Sequence, residues 1–228
     1  MIIIKTNTIG DCWLKSIKEV MNYGNEYFDE NVKIKEILGL SIEITNPNTE
    51  DEIITEFGDE YVIDKMLKKF SKDIVMNDRP FTYGKCIYDK NGIDQFEWLV
   101  NRLKSKEETK SASIGLLTEG NNEANLPCLT TIDVKIRNDK LHLQFFFRSQ
   151  NIFGRQYANL LALANLQKKL SEKCSKGIGS LKGYIASAHI YDYDYEEANN
   201  ICLDKKIKIK DKYYTNGPKS IKVSSNDK

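Results

Sequence analysis

Two runs of alternating apolar residues meet at one tight turn, and this pairing restricts the fold more than any other feature of the chain. Ile132, Val134 and Ile136 alternate with polar residues up to Asn138-Asp139, and Leu141, Leu143, Phe145 and Phe147 resume the alternation beyond it. Period two on both arms of a turn dipeptide predicts a β-hairpin. Behind it, Tyr157 to Leu170 is dense in Leu and Ala, the pattern of a central, well-buried helix. Leu181 to Tyr191 reads as a further strand. Upstream, Asp11 is the expected N-cap of a helix with Trp13, Ile17, Val20 and Met21 on one face and Gly24 as its stop. Leu38 to Ile44 reads as a strand ended by Asn46-Pro47-Asn48. Val62, Met66, Leu67 and Phe70 form a second helical stripe. Asp94-Gln95-Phe96-Glu97 has the form of a capping box, with Phe96, Leu99, Val100 and Leu103 as the buried face behind it. Helices and strands mixed around one hairpin predict an α/β or α+β sandwich around one sheet.

Length and charge narrow the class. A chain of 228 residues is sized for one domain. That domain is expected over residues 1–203, followed by a Lys-rich segment, 204–228, with a short edge strand at Ile207 and Ile209 and a frayed end. Lys and Arg number 34 against 33 Asp and Glu, so no excess charge argues for nucleic acid. No apolar run approaches the roughly 18–20 residues that span a bilayer. The five cysteines form no CxxC pair and the histidines number two, so neither a disulfide framework nor a metal site is expected. A reducing, cytoplasmic compartment is the default.

Cys128 stands where the loop-like Glu119-to-Glu123 segment and Leu126-Pro127 run into the hairpin, a junction that can leave a thiol partly exposed. It reads either as a nucleophile or as a half-core cysteine. Counting back from the turn at Asn138-Asp139 places residue 128 opposite about residue 149, beside Arg148 and Ser149. A guanidinium there would favour the thiolate, or Arg148 would simply end a strand in solvent. Asn151, Arg155 and Asn159 fall around the start of the Leu/Ala-rich helix. Asn159, inside an apolar run, must satisfy its amide against core backbone or against a planar ligand with adjacent donor and acceptor. His189 and Tyr191, two apart on a strand, share a face, as a packed pair or as part of a site.

Together these residues resemble the thymidylate synthase family. Leu126-Pro127-Cys128 resembles its Pro-Cys nucleophile motif, and Arg148-Ser149, Asn159 and His189-Ile190-Tyr191 resemble its Arg-Ser, Asn and His-x-Tyr elements in order. Tyr83-Gly84-Lys85 is similar to the family's earlier Tyr-Gly segment. The resemblance runs from about Arg79 to Ala198 and is most like the shorter archaeal-type branch, with no Arg-Thr-Gly phosphate loop near the start. It implies an α/β sandwich with one mixed, bulged sheet and a long buried helix. It implies a homodimer that methylates dUMP to dTMP, with 5,10-methylene-tetrahydrofolate or a methylene-tetrahydromethanopterin as cosubstrate and no metal. Cys128 would add to C6 of the pyrimidine. Arg148 and Ser149 would bind phosphate, Asn159 would read O4 and N3, and His189 and Tyr191 would hold the ribose hydroxyl. Tyr83 and Asn151 belong to the implied substrate site, Asn151 standing where the family usually has Asp. Lys110 falls where the family lends arginines to its partner, and Glu60 is the candidate acid/base carboxyl against a solvated helix-start Glu. A pyrimidine nucleotide hydroxymethylase and a non-catalytic nucleotide-binding relative are the alternatives.

Overall fold

The computed structural model describes residues 1–72, 82–117 and 126–203. Arg79, the Glu119-to-Glu123 loop and the segment from 204 with its expected strand at Ile207 and Ile209 lie outside the described residues. Among the described residues, seven strands make one mixed sheet: β1 (Ile2–Thr6), β2 (Asn25–Asp29), β3 (Val32–Ile44), β4 (Ser113–Gly115), β5 (Leu129–Arg137), β6 (Lys140–Asn151) and β7 (Gly177–Tyr191). Their order is β1-β3-β7-β6-β5-β4, with β2 paired to the first part of β3. The β1–β3 and β6–β7 pairs are parallel and the others antiparallel. Seven α-helices among the described residues accompany the sheet: α1 (Ile9–Tyr23), α2 (Glu52–Phe57), α3 (Glu60–Lys69), α4 (Tyr83–Tyr88), α5 (Gln95–Ser105), α6 (Ile152–Cys174) and α7 (Tyr195–Cys202).

The hairpin forms as its sequence predicts. Asn138 and Asp139 sit at φ 51° and 60°, the left-handed pair that lets a two-residue turn follow strand twist. Ile136 faces Leu141, Val134 faces Leu143 and Ile132 faces Phe145. The register then shifts between Leu129 and Thr131, so Leu129 faces Phe147. This bulge moves everything upstream by one residue: Cys128 lies opposite Arg148 rather than Ser149, and the Arg148 N–H donates to the Cys128 carbonyl at 2.9 Å.

Helix α6 is apolar around nearly its whole girth and is buried from Ile152 to Cys174 apart from a few positions. Its N-cap is Asn151, whose side chain accepts from the Gly154 N–H at 2.9 Å. Helix α1 buries Trp13, Ile17, Val20 and Met21 and ends at Gly24, as expected. Its N-cap is Thr8 rather than Asp11. Ile9 belongs to the buried stripe one turn before Trp13, so the helix starts earlier, and Asp11 serves in the acidic first turn. Asp94 does cap α5, accepting from the Glu97 N–H at 3.0 Å.

Strand β3 begins six residues before the expected Leu38, because β2 supplies an antiparallel partner for Val32 to Glu36. Gly39 interrupts it at φ +83°, where an added Cβ would lie 2.9 Å from the Tyr184 hydroxyl oxygen. Below Gly39 the strands bury alternate residues such as Leu40, Ile42 and Ile44. Above it both faces are covered: Ile37, Ala188 and Ile190 are buried on one, Ile34 and His189 on the other. The second of these faces is the floor of the site.

Candidate active site

The upper ends of β3, β6 and β7 open into a cavity of about 960 Å³, walled by α3, α4, the start of α6 and the β2–β3 turn. Cys128 reaches it from the end of the segment before β5, half-buried. The Ser149 hydroxyl donates to its sulfur at 3.5 Å. Arg148 braces the segment that carries the thiol: its Nε donates to the Pro127 carbonyl at 3.2 Å and its Nη2 to the Leu126 carbonyl at 2.6 Å. Tyr83, on the facing wall, accepts from the Leu129 N–H at 3.4 Å. Burial, then the adjacent Cys128, pushes the Tyr83 phenol above its ordinary range. Three other thiols are sealed away, with Cys12 pushed up to about 12 and Cys86 and Cys174 also raised, each chiefly by burial.

Asn159 lines the cavity at 5% exposure, and its side-chain oxygen has no hydrogen-bond partner among the described residues. A buried acceptor left open on a cavity wall is a recognition point for a ligand N–H. The register sets Asn151, His189 and Glu36 side by side across β6, β7 and β3. Ser187 donates to the Glu36 carboxylate and lies 3.4 Å from the His189 Nδ1. Burial lowers the His189 pKa from its ordinary value, with Ser187, Asp29 and Glu36 opposing it. Tyr191 donates to the Asp29 carboxylate at 2.8 Å and stacks on Tyr193, with centroids 5.2 Å apart. Its phenol is raised by burial and then by that bond to Asp29.

The expected residues Cys128, Arg148, Ser149, Asn151, Asn159, His189, Tyr191 and Tyr83 therefore line one cavity. Glu60 and Lys110 are not among its lining residues. Glu60 is exposed in the first turn of α3, about half a turn of rotation away from Lys69, which does face the cavity. Lys110 is exposed in the connection between α5 and β4. Lys85 is paired with Asp89. Sequence reasoning missed Asp29, Glu36 and Ser187. Ser187 was within reach, since counting back by two from His189 gives the same strand face. Glu36 and Asp29 enter only through the β2–β3 hairpin.

The thymidylate synthase family model matches residues 11–220. The chain belongs to the thymidylate synthase family. It is similar to an archaeal protein of Methanosarcina mazei, provisionally named thymidylate synthase, with 30% identity over 203 residues, 87% of this chain and 94% of the relative. A protein of Methanothermobacter thermautotrophicus under the same provisional name is 27% identical over 215 residues, 87% of this chain and 97% of the relative. Membership in the thymidylate synthase family carries the expectation of a pyrimidine nucleotide and a reduced folate-type cosubstrate. Among the described residues no group of three His, Cys, Asp or Glu is placed to hold a metal ion, and no helix is long and apolar enough to cross a membrane.

Proposed function

We propose that this chain methylates dUMP at C5 to give dTMP, using a methylene-carrying reduced pterin. The observation that carries the reading is the half-buried Cys128 thiol, 3.5 Å from the Ser149 hydroxyl, on the wall of a cavity shared with the open amide oxygen of Asn159. Cys128 adds to C6 of the pyrimidine, which makes C5 a carbon nucleophile and divides a prohibitive substitution into accessible steps. Arg148 holds the Leu126-Pro127 backbone so that the sulfur stays aimed at the cavity. Asn159 presents an acceptor that suits the N3–H of uracil, and its amide N–H groups suit O4. His189, held neutral by burial, and Tyr191 face the sugar hydroxyl.

The pterin supplies the one-carbon unit and the hydride. The cavity suits a second, flat ligand: about 960 Å³ is at the upper end of the roughly 300–1,000 Å³ usual for small-molecule sites. Its lining also includes Met66, Val32, Tyr27 and Phe28, apolar surface beyond what the polar nucleotide contacts use. The open acceptor of Asn159 favours uracil over cytosine, whose unprotonated N3 would oppose oxygen to a lone pair.

The test is release of tritium from C5-labelled dUMP and dCMP in the presence of methylene-tetrahydrofolate or methylene-tetrahydromethanopterin, with product mass. Release from dUMP with a methyl product is expected, and Cys128→Ala abolishes it. A hydroxymethyl product would make the chain a hydroxymethylase, and no release with either base despite nucleotide binding would make it a non-catalytic relative.

A further inference from the structure

Two carboxylates stand behind the His189–Tyr191 pair, and each ties up a hydroxyl proton beside it. Glu36 accepts from the Ser187 hydroxyl, whose oxygen lies 3.4 Å from the His189 Nδ1. A serine hydroxyl has one proton, and here it points at Glu36, so Ser187 offers the imidazole only a lone pair. A neutral imidazole carries one N–H, and this lone pair draws it to Nδ1. Nε2 is left as an acceptor and makes no hydrogen bond among the described residues. Asp29 accepts from the Tyr191 hydroxyl at 2.8 Å, so the phenol oxygen likewise has only lone pairs to offer. His189 and Tyr191 both line the cavity, with ring centroids 5.2 Å apart.

We propose that Glu36, acting through Ser187, and Asp29 are positioning residues that set the proton polarity of the sugar subsite: His189 and Tyr191 accept, and the ligand hydroxyl donates. The proposal rests on the pyrimidine-nucleotide reading above and adds a selection to it, for a sugar whose hydroxyl can give a proton. The sheet register holds the arrangement. Glu36 stands opposite His189 across the β3–β7 ladder, and Ile34, two residues earlier, stands opposite Tyr191. Asp29 ends β2 opposite Val32, so both carboxylates ride on the β2–β3 hairpin. One O–H can be shared between two acceptors in a three-centre bond. A group of the same size without a proton would set its own lone pairs against those of Nε2 and the phenol oxygen. Acceptors left facing each other with no donor between them are costly, and this cost makes the subsite selective.

The first test needs no ligand. Nitrogen-15 NMR of the full chain, labelled in its histidine rings, reports which ring nitrogen carries the proton. The chain has two histidines, and His142→Gln assigns them. His189 is expected as the Nδ1–H tautomer at pH 7.5. Glu36→Gln, whose amide can donate to Ser187 and turn the hydroxyl proton toward the ring, should move His189 toward Nε2–H. An Nε2–H tautomer in the wild type, or a tautomer unmoved by Glu36→Gln, overturns the proposal whatever the ligand. The second test is calorimetric binding of dUMP and of its 3′-fluoro analogue, in which fluorine replaces the 3′-hydroxyl and carries no proton. Far-UV circular dichroism shows that each variant is folded. The wild type should bind the fluoro analogue about tenfold or more weakly than dUMP, the range for acceptors left without a donor. Glu36→Gln and Asp29→Asn should each narrow that ratio. If the wild type binds both ligands alike, the polarity is overturned and the nucleotide reading stands. If it binds neither, the nucleotide reading falls and takes the sugar assignment with it.

Discussion

His189 shows how one side chain ties the site to the stability of the molecule. Burial dominates its environment and lowers its pKa below the ordinary 6.5, so the folded chain prefers the neutral imidazole. In the unfolded chain that preference is gone, and the unfolded state binds the extra proton first as pH falls. Stability must therefore decline from about pH 6.5 downward, until the folded-state pKa is passed. His142 is shifted in the same direction, chiefly by partial burial, and acts in the same window. Urea midpoints at pH 7.5 and 5.5 are expected to differ less in His189→Gln than in the wild type, with His142→Gln removing a smaller share. An unchanged difference in His189→Gln would mean that its burial carries no proton linkage. Glu36 pulls the other way, since its charge raises the His189 pKa. Glu36→Gln should shift the His189 ring titration, followed by NMR, to still lower pH; an upward shift would place Glu36 elsewhere in the balance. The His189–Tyr191 pair was legible in the sequence because period two needs no tertiary knowledge. Glu36 was not, because a carboxylate on a strand reads as solvent-facing until its neighbour across the sheet is known.

At the scale of elements, the site depends on how α1 fixes the start of α6. Trp13 is fully buried, its indole N–H donates to the Ile152 and Phe153 carbonyls at 3.0 and 3.1 Å, and its ring lies 4.6 Å from that of Tyr157. The Tyr157 oxygen in turn accepts from the Asp59 N–H at 3.4 Å, at the cap of α3. The indole thus fixes the start of α6, which carries Arg155 and Asn159, and Tyr157 ties that helix to α3, which carries Lys69. Trp13→Phe removes the donor and leaves a gap, at a cost of about 1–3 kcal/mol. For a chain of this size that is roughly 2–4 °C of melting temperature per kcal/mol. A melting temperature equal to the wild type would show that these bonds add nothing net. The helices α1, α5 and α6 were legible because each has a long apolar face, and α5 because Asp94 also marks its cap. Strands β1 and β2 were not: β2 is exposed along all five residues and has no alternation to read, and β1 is five residues whose parallel partner lies 38 positions away. The bulge between Leu129 and Thr131 was equally hidden, and it alone decided whether Arg148 or Ser149 stands opposite Cys128.

At the scale of the molecule, the lower half of the sheet has one face on the core and one on solvent. The register sets Ile3, Ser41, Tyr184, Phe146 and Thr131 in a single row across β1, β3, β7, β6 and β5. Ile3 is 71% exposed and Phe146 37%, and the Phe146 ring stacks on Tyr184 at 5.5 Å. The next row is charged or polar throughout: Lys5, Glu43, Lys182, Gln144 and Asp133, with Glu43 bridging both lysines at 3.3 and 3.0 Å. An aromatic and aliphatic row beside a row of both charge signs is the make-up of a self-complementary patch, apolar at its centre and polar at its rim. The homodimer that the family resemblance implies is expected, if it forms, to meet through this face. A two-fold axis would bring each substituted residue in twice, so Phe146→Glu puts two carboxylates into one interface. The dimer dissociation constant, measured by analytical ultracentrifugation, is expected to rise by about 100-fold or more, the effect of losing a central aromatic anchor. Phe146 points away from the cavity, so nucleotide contacts made within one chain should persist in the resulting monomer. If Phe146→Glu sediments as the wild type does, the chains do not meet through this face.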